Sequence, residues 1–216
     1  MACYVTDRKG LGSDDPTEKV LGRIRAAVAA GVDWVQIREK DLAGRELLAL
    51  ARAAIGIAHE NGGAGKAGVV VNDRLDVALA AGAAGVHLGG ESLPARDVVR
   101  WCRSGNAPAE FLIGVSCHSF EEAREAENAG ASYTFFGPIF ETPSKERFGA
   151  PQGAARLAEV CRAVRIPVIA IGGVSEENGP ECIRAGAAGI AAIRLFEEPG
   201  DPVALRKAIT RLHTRM

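Results

Sequence analysis

The sequence predicts an α/β protein, a single-domain (β/α)8 TIM barrel over residues 1–216, on three observations. Short apolar runs alternate with amphipathic stretches eight times. An Ala-Gly pair stands ahead of the apolar run at four of these junctions. The length of 216 residues also suits one closed barrel better than two ordinary domains. Strand and helix alternating over short links is the pattern of a parallel sheet wrapped by its own helices.

Taken in order, strands are expected near 2–6, 33–37, 68–72, 84–88, 111–115, 133–136, 167–171 and 188–192. Helices are expected near 16–30, 44–60, 74–82, 94–104, 119–130, 153–164, 175–185 and 201–213. Ala30-Gly31, Ala81-Gly82, Ala129-Gly130 and Ala185-Gly186 mark helix ends, because glycine supplies the left-handed residue that closes a last turn. The apolar runs after them suit strands buried on both faces. Ser119 ahead of Glu121 and Glu122, and Ser175 ahead of Glu176 and Glu177, are expected helix caps with acidic first turns. Residues 62–68 and 104–110 are expected surface connections.

Hydrophobic residues make up 47% and charged residues 25%, enough for a substantial core in a globular chain. The formal net charge of −1 argues against nucleic acid or an anionic membrane as partner, so any anion site must be local. No apolar run has the length of a membrane span, and Met1 leads into Cys3-Tyr4-Val5 rather than a basic region and apolar signal core, so a cytoplasmic protein is expected. The five cysteines lack a Cys-x-x-Cys pair and suggest neither a disulfide framework nor zinc.

In a barrel of this kind the loops after the strands share one face, so distant residues converge there. Tyr133 to Gly149 is the most informative stretch: an apolar strand breaks into a loop carrying Thr142, Ser144 and Lys145. The second strand runs into Gln36-Ile37-Arg38-Glu39-Lys40, where an Arg fork and a Lys suit an oligophosphate; a structural Arg38–Glu39 ion pair is an equal alternative. Capping the next helix is the more common use of Asn72 or Asp73 at this position, and Asp73 beside that cationic group is also suited to Mg2+. After the fourth strand, Ser92 ahead of Pro94 reads as a cap, Glu91 is the nearest carboxylate, and His87 reads as a satisfied structural histidine.

Ser116-Cys117-His118 lacks the orienting acid of a nucleophilic triad, so Ser116 is read as a hydrogen-bond donor to ligand. Gly172-Gly173 and Ile193 follow the seventh and eighth strands, where such barrels often hold a phosphate. Together these suggest a monophosphate site at Gly173 and Ile193 and a more cationic one at Arg38, Lys40 and Lys145. That pairing suits one substrate with a phosphate and another with a leaving diphosphate.

Val35 to Lys40, Val71 to Leu79, Gly85 to Gly89, Gly114-Val115-Ser116, Gly137 to Phe140, Thr142 to Lys145 and Ala170 to Gly173 together resemble thiamine-phosphate synthase, within the superfamily that also holds thiazole tautomerase. The resemblance runs over essentially the whole chain in order. It implies a transferase of thiamine biosynthesis that joins hydroxymethylpyrimidine diphosphate to hydroxyethylthiazole phosphate with Mg2+ and releases pyrophosphate. It implies small phosphorylated substrates as partners, no nucleic acid or membrane, and leaves a homo-oligomer open. By resemblance, Gln36, Arg38, Lys40, Asn72, Ser116 and Lys145 hold the pyrimidine diphosphate, and Asp73 binds the metal. Thr142, Ser144, Gly173, Ile193 and Arg194 take the thiazole phosphate.

The chain departs from the family pattern at Ser92, where a second metal-binding Asp is usual, leaving Glu91 or Ser92 as the second ligand. It departs also at Glu141 and Arg194. Pro138 stands where a tautomerase carries its proton-shuttling His, and the diphosphate ligands are retained, so synthase is favoured over tautomerase. A non-catalytic thiamine-phosphate-binding regulator is the alternative of a different class.

Overall fold

The computed structural model describes residues 1–12, 15–60, 67–142, 150–197 and Lys207. Eight parallel strands close in sequence order: β1 (Ala2–Val5), β2 (Trp34–Ile37), β3 (Gly68–Asn72), β4 (Gly85–Leu88), β5 (Leu112–Cys117), β6 (Tyr133–Phe136), β7 (Val168–Ile171) and β8 (Gly189–Ala192). β8 pairs back onto β1 through Cys3 opposite Ala191, which completes the barrel. Helices α1 (Pro16–Ala30), α2 (Gly44–Glu60), α3 (Leu75–Ala81), α4 (Ala95–Trp101), α5 (Phe120–Ala129), α6 (Gly153–Ala163), α7 (Gly179–Arg184) and α8 (Arg194–Glu197) each follow a strand. The predicted (β/α)8 barrel is therefore the observed one.

Local chemistry explains most boundaries. Asp15 accepts a hydrogen bond from Glu18 N at 3.0 Å and Pro16 opens α1, while Val20, Ile24 and Ala27 put one buried stripe on the barrel. Ser119 accepts from Glu122 N at 3.1 Å, so the predicted cap of α5 holds. Gly31, Gly82 and Gly130 take the left-handed conformation expected after α1, α3 and α5.

Some expectations shift. β5 runs on to Cys117, so Ser116 lies on a strand rather than after one. α7 starts at Gly179, not 175: Asn178 Oδ1 accepts from Ser175 N and Ser175 Oγ from Asn178 N, forming a reciprocal turn ahead of the helix. Ser92 does not cap α4, whose first residue follows Pro94 with no side-chain cap. Neither Asn72 nor Asp73 caps α3, whose N-cap is Arg74. The expected helix over 201–213 lies outside the described residues apart from Lys207.

Two apolar layers result. Cys3, Val5, Tyr133, Phe135, Ile169 and Ala191 fill the barrel interior, and a larger shell including Ile24, Leu47, Ile57, Leu157 and Val160 lies between strands and helices. The interior layer forms the floor on which the strand-end residues stand.

Candidate active site

The site is built from the C-terminal ends of the strands. A cavity of about 90 Å3 opens there, lined by Asp7, Gln36, Arg38, Asn72, His87, Ser116 and His118 over apolar Phe135, Ile171 and Ile193. Six of these polar residues sit on or directly after β2, β3, β4 and β5 and line one cavity, although 80 positions separate Gln36 from Ser116 in number.

Arg38 is placed by its neighbours. Arg38 N donates to Thr6 Oγ1 at 3.0 Å, and the same hydroxyl donates to Glu39 Oε1 at 2.5 Å. Glu39 is 4% exposed and also accepts from Arg8 N, with Arg8 Nε 3.7 Å away. Burial, opposed by these hydrogen bonds, holds the Glu39 carboxyl above its usual range. The Arg38–Glu39 ion pair does not form: Glu39 turns to Arg8, and among the described residues no carboxylate pairs with Arg38, which faces the cavity. β2 has already ended at Ile37, so loop geometry rather than strand alternation presents Arg38 and Lys40.

A polar row crosses from β2 to β4. Gln36, 2% exposed, donates through Nε2 to Asn72 Oδ1 at 2.8 Å, and Asn72 Nδ2 donates to Asp73 Oδ2 at 2.5 Å. Asp73 Oδ1 accepts from Gly89 N at 3.2 Å and from the Ser92 hydroxyl, and Lys40 Nζ lies 3.6 Å from Asp73 Oδ2. Asp73 adopts φ 62°, a left-handed backbone that is uncommon outside glycine, and its amide donates to His87 O at 2.8 Å. Held from both sides, its carboxylate faces Lys40 and Ser92. Gln36 Oε1 is buried without a hydrogen-bond partner among the described residues.

Glu91 is exposed, whereas Ser92 reaches Asp73; of the two residues expected near the metal ligand, only Ser92 is therefore brought to it. Among the described residues no cluster of three or more His, Cys, Asp or Glu side chains is arranged to hold a metal by itself.

On the opposite side, the ends of β6 and β7 interlock. Ile139 N donates to Ile171 O and Phe140 N to Gly172 O, each at 3.0 Å. Gly172 and Gly173 have φ of 94° and 67°, and a Cβ on Gly173 would lie 2.5 Å from Glu141 O. The amides of both glycines donate to no acceptor among the described residues, and Ile193 lines the cavity together with Ile171. Thr142 is half-buried and Arg194 exposed. Ser144 and Lys145 lie outside the described residues.

Asp7, absent from the expected site, and His118, expected only to be no triad member, both line the cavity. Asp7 follows β1, so the strand-end rule applied to the first strand would have found it. His118 Nδ1 donates to Gly137 O at 2.5 Å, and Gln152 Nε2 donates to His118 O at 3.0 Å, tying the loops after β5 and β6 together. His87 is 1% exposed and hydrogen-bonded at both ring nitrogens, as the structural reading expected, yet it also reaches the cavity.

Beneath Asp7 lies a titrating group. Glu197 Oε1 accepts from Asp7 N at 3.0 Å and Tyr4 Oη at 3.2 Å, and burial, reinforced by the charges of Asp7 and Glu39, pushes its carboxyl up to about 7. A carboxyl raised on folding binds extra protons in the native state, so its stabilisation is full below the unfolded value of 4.5 and is lost as pH rises through about 7. Glu197→Gln is accordingly expected to flatten the fall in stability between pH 5 and 8 (about the interval bracketing the two values), read from urea midpoints across that interval. An unchanged slope would assign the titration elsewhere.

The comparisons accord with this geometry. Residues 3–196 match the family profile described as "Thiamine monophosphate synthase". A thiamine-phosphate synthase of Methanocella arvoryzae is 44% identical over 203 residues, covering 93% of this chain and 89% of the relative. One from Moorella thermoacetica is 39% identical over 212 residues, covering 98% and 95%. Among solved structures, a thiamine phosphate pyrophosphorylase from Pyrococcus furiosus superposes with a TM-score of 0.84 at 29% identity, covering 100% of this chain and 96% of that one.

Proposed function

We propose a function from one premise: this chain belongs to the thiamine monophosphate synthase family, and it is a transferase that joins hydroxymethylpyrimidine diphosphate to hydroxyethylthiazole phosphate, forming thiamine phosphate and pyrophosphate. The observation that carries the assignment of residues is the polar row Gln36–Asn72–Asp73 ending at Lys40, together with Arg38, which faces the cavity and pairs with no carboxylate among the described residues. Gln36 Oε1 accepts from the exocyclic amine of the pyrimidine, a partner it lacks among the described residues. Arg38, Lys40 and Lys145 take the diphosphate, Asn72 orients Asp73, and Ser116 donates to the departing pyrophosphate.

The cavity of about 90 Å3 is smaller than two substrates, so only the pyrimidine ring enters it and the phosphates lie above, at the mouth. Phe135, Ile171 and Ile193 exclude water from the cation that forms when the pyrimidine–diphosphate bond breaks. The thiazole nitrogen then captures that cation. Thr142 and Ser144 on one loop, and the Gly173 amide with Ile193 and Arg194 on the other, hold the thiazole phosphate in line.

Asp73 with the Ser92 hydroxyl fits Mg2+, which takes one or two protein oxygens and completes its shell with phosphate oxygens and water. When bound, the ion neutralises charge on the diphosphate. Asp73→Asn is expected to raise the Mg2+ concentration needed for half-maximal rate by about tenfold or more, measured by metal titration at fixed substrate. An unchanged requirement would reduce Asp73 to a turn residue. All five cysteines are free, which agrees with a cytoplasmic site of action.

The test of the whole reading is incubation with both phosphorylated halves and Mg2+, following thiamine phosphate and pyrophosphate together. Equal amounts of the two products are expected; neither product, with both substrates recovered, would end the proposal.

A further inference from the structure

Under the cavity, three residues from three strands form a chain of hydrogen bonds whose direction the geometry decides. Tyr133 on β6 and His87 on β4 are each 1% exposed. Tyr133 Oη lies 3.2 Å from His87 Nδ1, and His87 Nε2 lies 2.9 Å from Ser116 Oγ on β5. Ser116 lines the cavity.

We infer that Tyr133 fixes the tautomer of His87, and that His87, by donating to Ser116 Oγ, leaves the Ser116 proton free to point into the cavity. The Tyr133 phenol has one proton to give, and among the described residues His87 Nδ1 is the acceptor it reaches. A neutral imidazole that accepts at Nδ1 carries its proton on Nε2. That N–H donates to Ser116 Oγ, occupying the oxygen from below and turning its own proton toward the cavity. The opposite direction, with Nδ1–H donating to Tyr133, would strand the phenol proton in the barrel core. Burial, and secondarily the Cys3 thiol, holds the phenol well above its ordinary range, so Tyr133 keeps that proton.

Gly114 is an independent sign that this contact is built in. A Cβ at Gly114 would lie 2.2 Å from Tyr133 Cζ, 2.4 Å from its Oη and 2.6 Å from His87 Nδ1, in the space the hydrogen bond occupies. Trp34 against Tyr133, with ring centroids 4.7 Å apart, and Phe135 against His87 at 4.2 Å hold both rings in place. Tyr133 is thus a positioning residue acting through His87, and the Ser116 hydroxyl is left with its proton to present to an anion. That the anion is the leaving pyrophosphate rests on the function proposed above; the tautomer does not.

Nitrogen-15 NMR of histidine-labelled protein reads the tautomer directly. One buried imidazole in the Nε2–H form is expected, shifting to a mixed population in Tyr133→Phe; an Nδ1–H ring coupled to Tyr133 in the parent overturns the inference. Pyrophosphate binding in the presence of Mg2+, measured by calorimetry, should weaken about tenfold in Tyr133→Phe and in Ser116→Ala. In the Ser116→Ala background, Tyr133→Phe should add nothing, whereas additive losses overturn the relay. Should Tyr133→Phe not fold, the tautomer of the parent protein decides alone. Failure to form thiamine phosphate would remove the proposed reaction and leave the tautomer measurement standing.

Discussion

Replacement of Arg38 by alanine is expected to lower turnover by about 10²–10³-fold, the usual loss when a pre-placed donor to developing charge is removed. The expectation follows from how the cation is kept available. The adjacent carboxylate, Glu39, is turned to Thr6 and Arg8, so Arg38 reaches the cavity without a paired carboxylate among the described residues. Charge on the diphosphate grows as its bond to the pyrimidine breaks, so the loss should fall mainly on kcat rather than KM. Arg38→Lys should recover only part of it, because an ammonium lacks the planar fork that bridges two phosphate oxygens. Steady-state kinetics with pyrophosphate release, alongside circular dichroism, decide the matter. A kcat within about threefold of the parent would mean that Arg38 does not touch the leaving group.

The second large effect is on stability. Gly114→Ala places a methyl group among Tyr133 and His87, in a layer closed by Trp34 and Phe135. Trp34 packs on Tyr133 and Phe135 on His87, and overpacking of this kind costs roughly 3 kcal/mol. For a chain of this size the melting temperature should fall by about 6–12 °C. If calorimetry shows a change below about 2 °C, the interior is looser than its packing indicates. Gly114 belongs to the Gly-Val-Ser run noted in the sequence, and its role there is to leave room for Tyr133 beside His87.

The architecture was legible because each of its signals is local. Period, glycine after a helix and an apolar run all act within one element, and Gly31, Gly82 and Gly130 close their helices as the sequence suggests. What the sequence could not settle depends on contacts between distant residues. Ser92 next to Pro94 has the look of a cap, but its hydroxyl goes to Asp73, 19 positions away. Arg38 next to Glu39 has the look of an ion pair, but Thr6 and Arg8 of the first strand's loop claim the carboxylate. Ser175 has the look of a helix start, but its amide donates to Asn178 Oδ1 at 2.8 Å in a turn ahead of the helix. For Ser92 and Glu39 the stronger partner lies across the mouth, where only the closed barrel brings it near; for Ser175 it lies three residues along the turn.

The interlocked ends of β6 and β7 carry a consequence for anyone altering this protein. Main-chain bonds join Ile139 to Ile171 and Phe140 to Gly172, and the backbone of Glu141 lies where any side chain on Gly173 would be. The two loops are therefore a single exchangeable part. Grafting one from a relative without the other would pair a new contour with an old socket, while moving both together would transplant that side of the mouth intact.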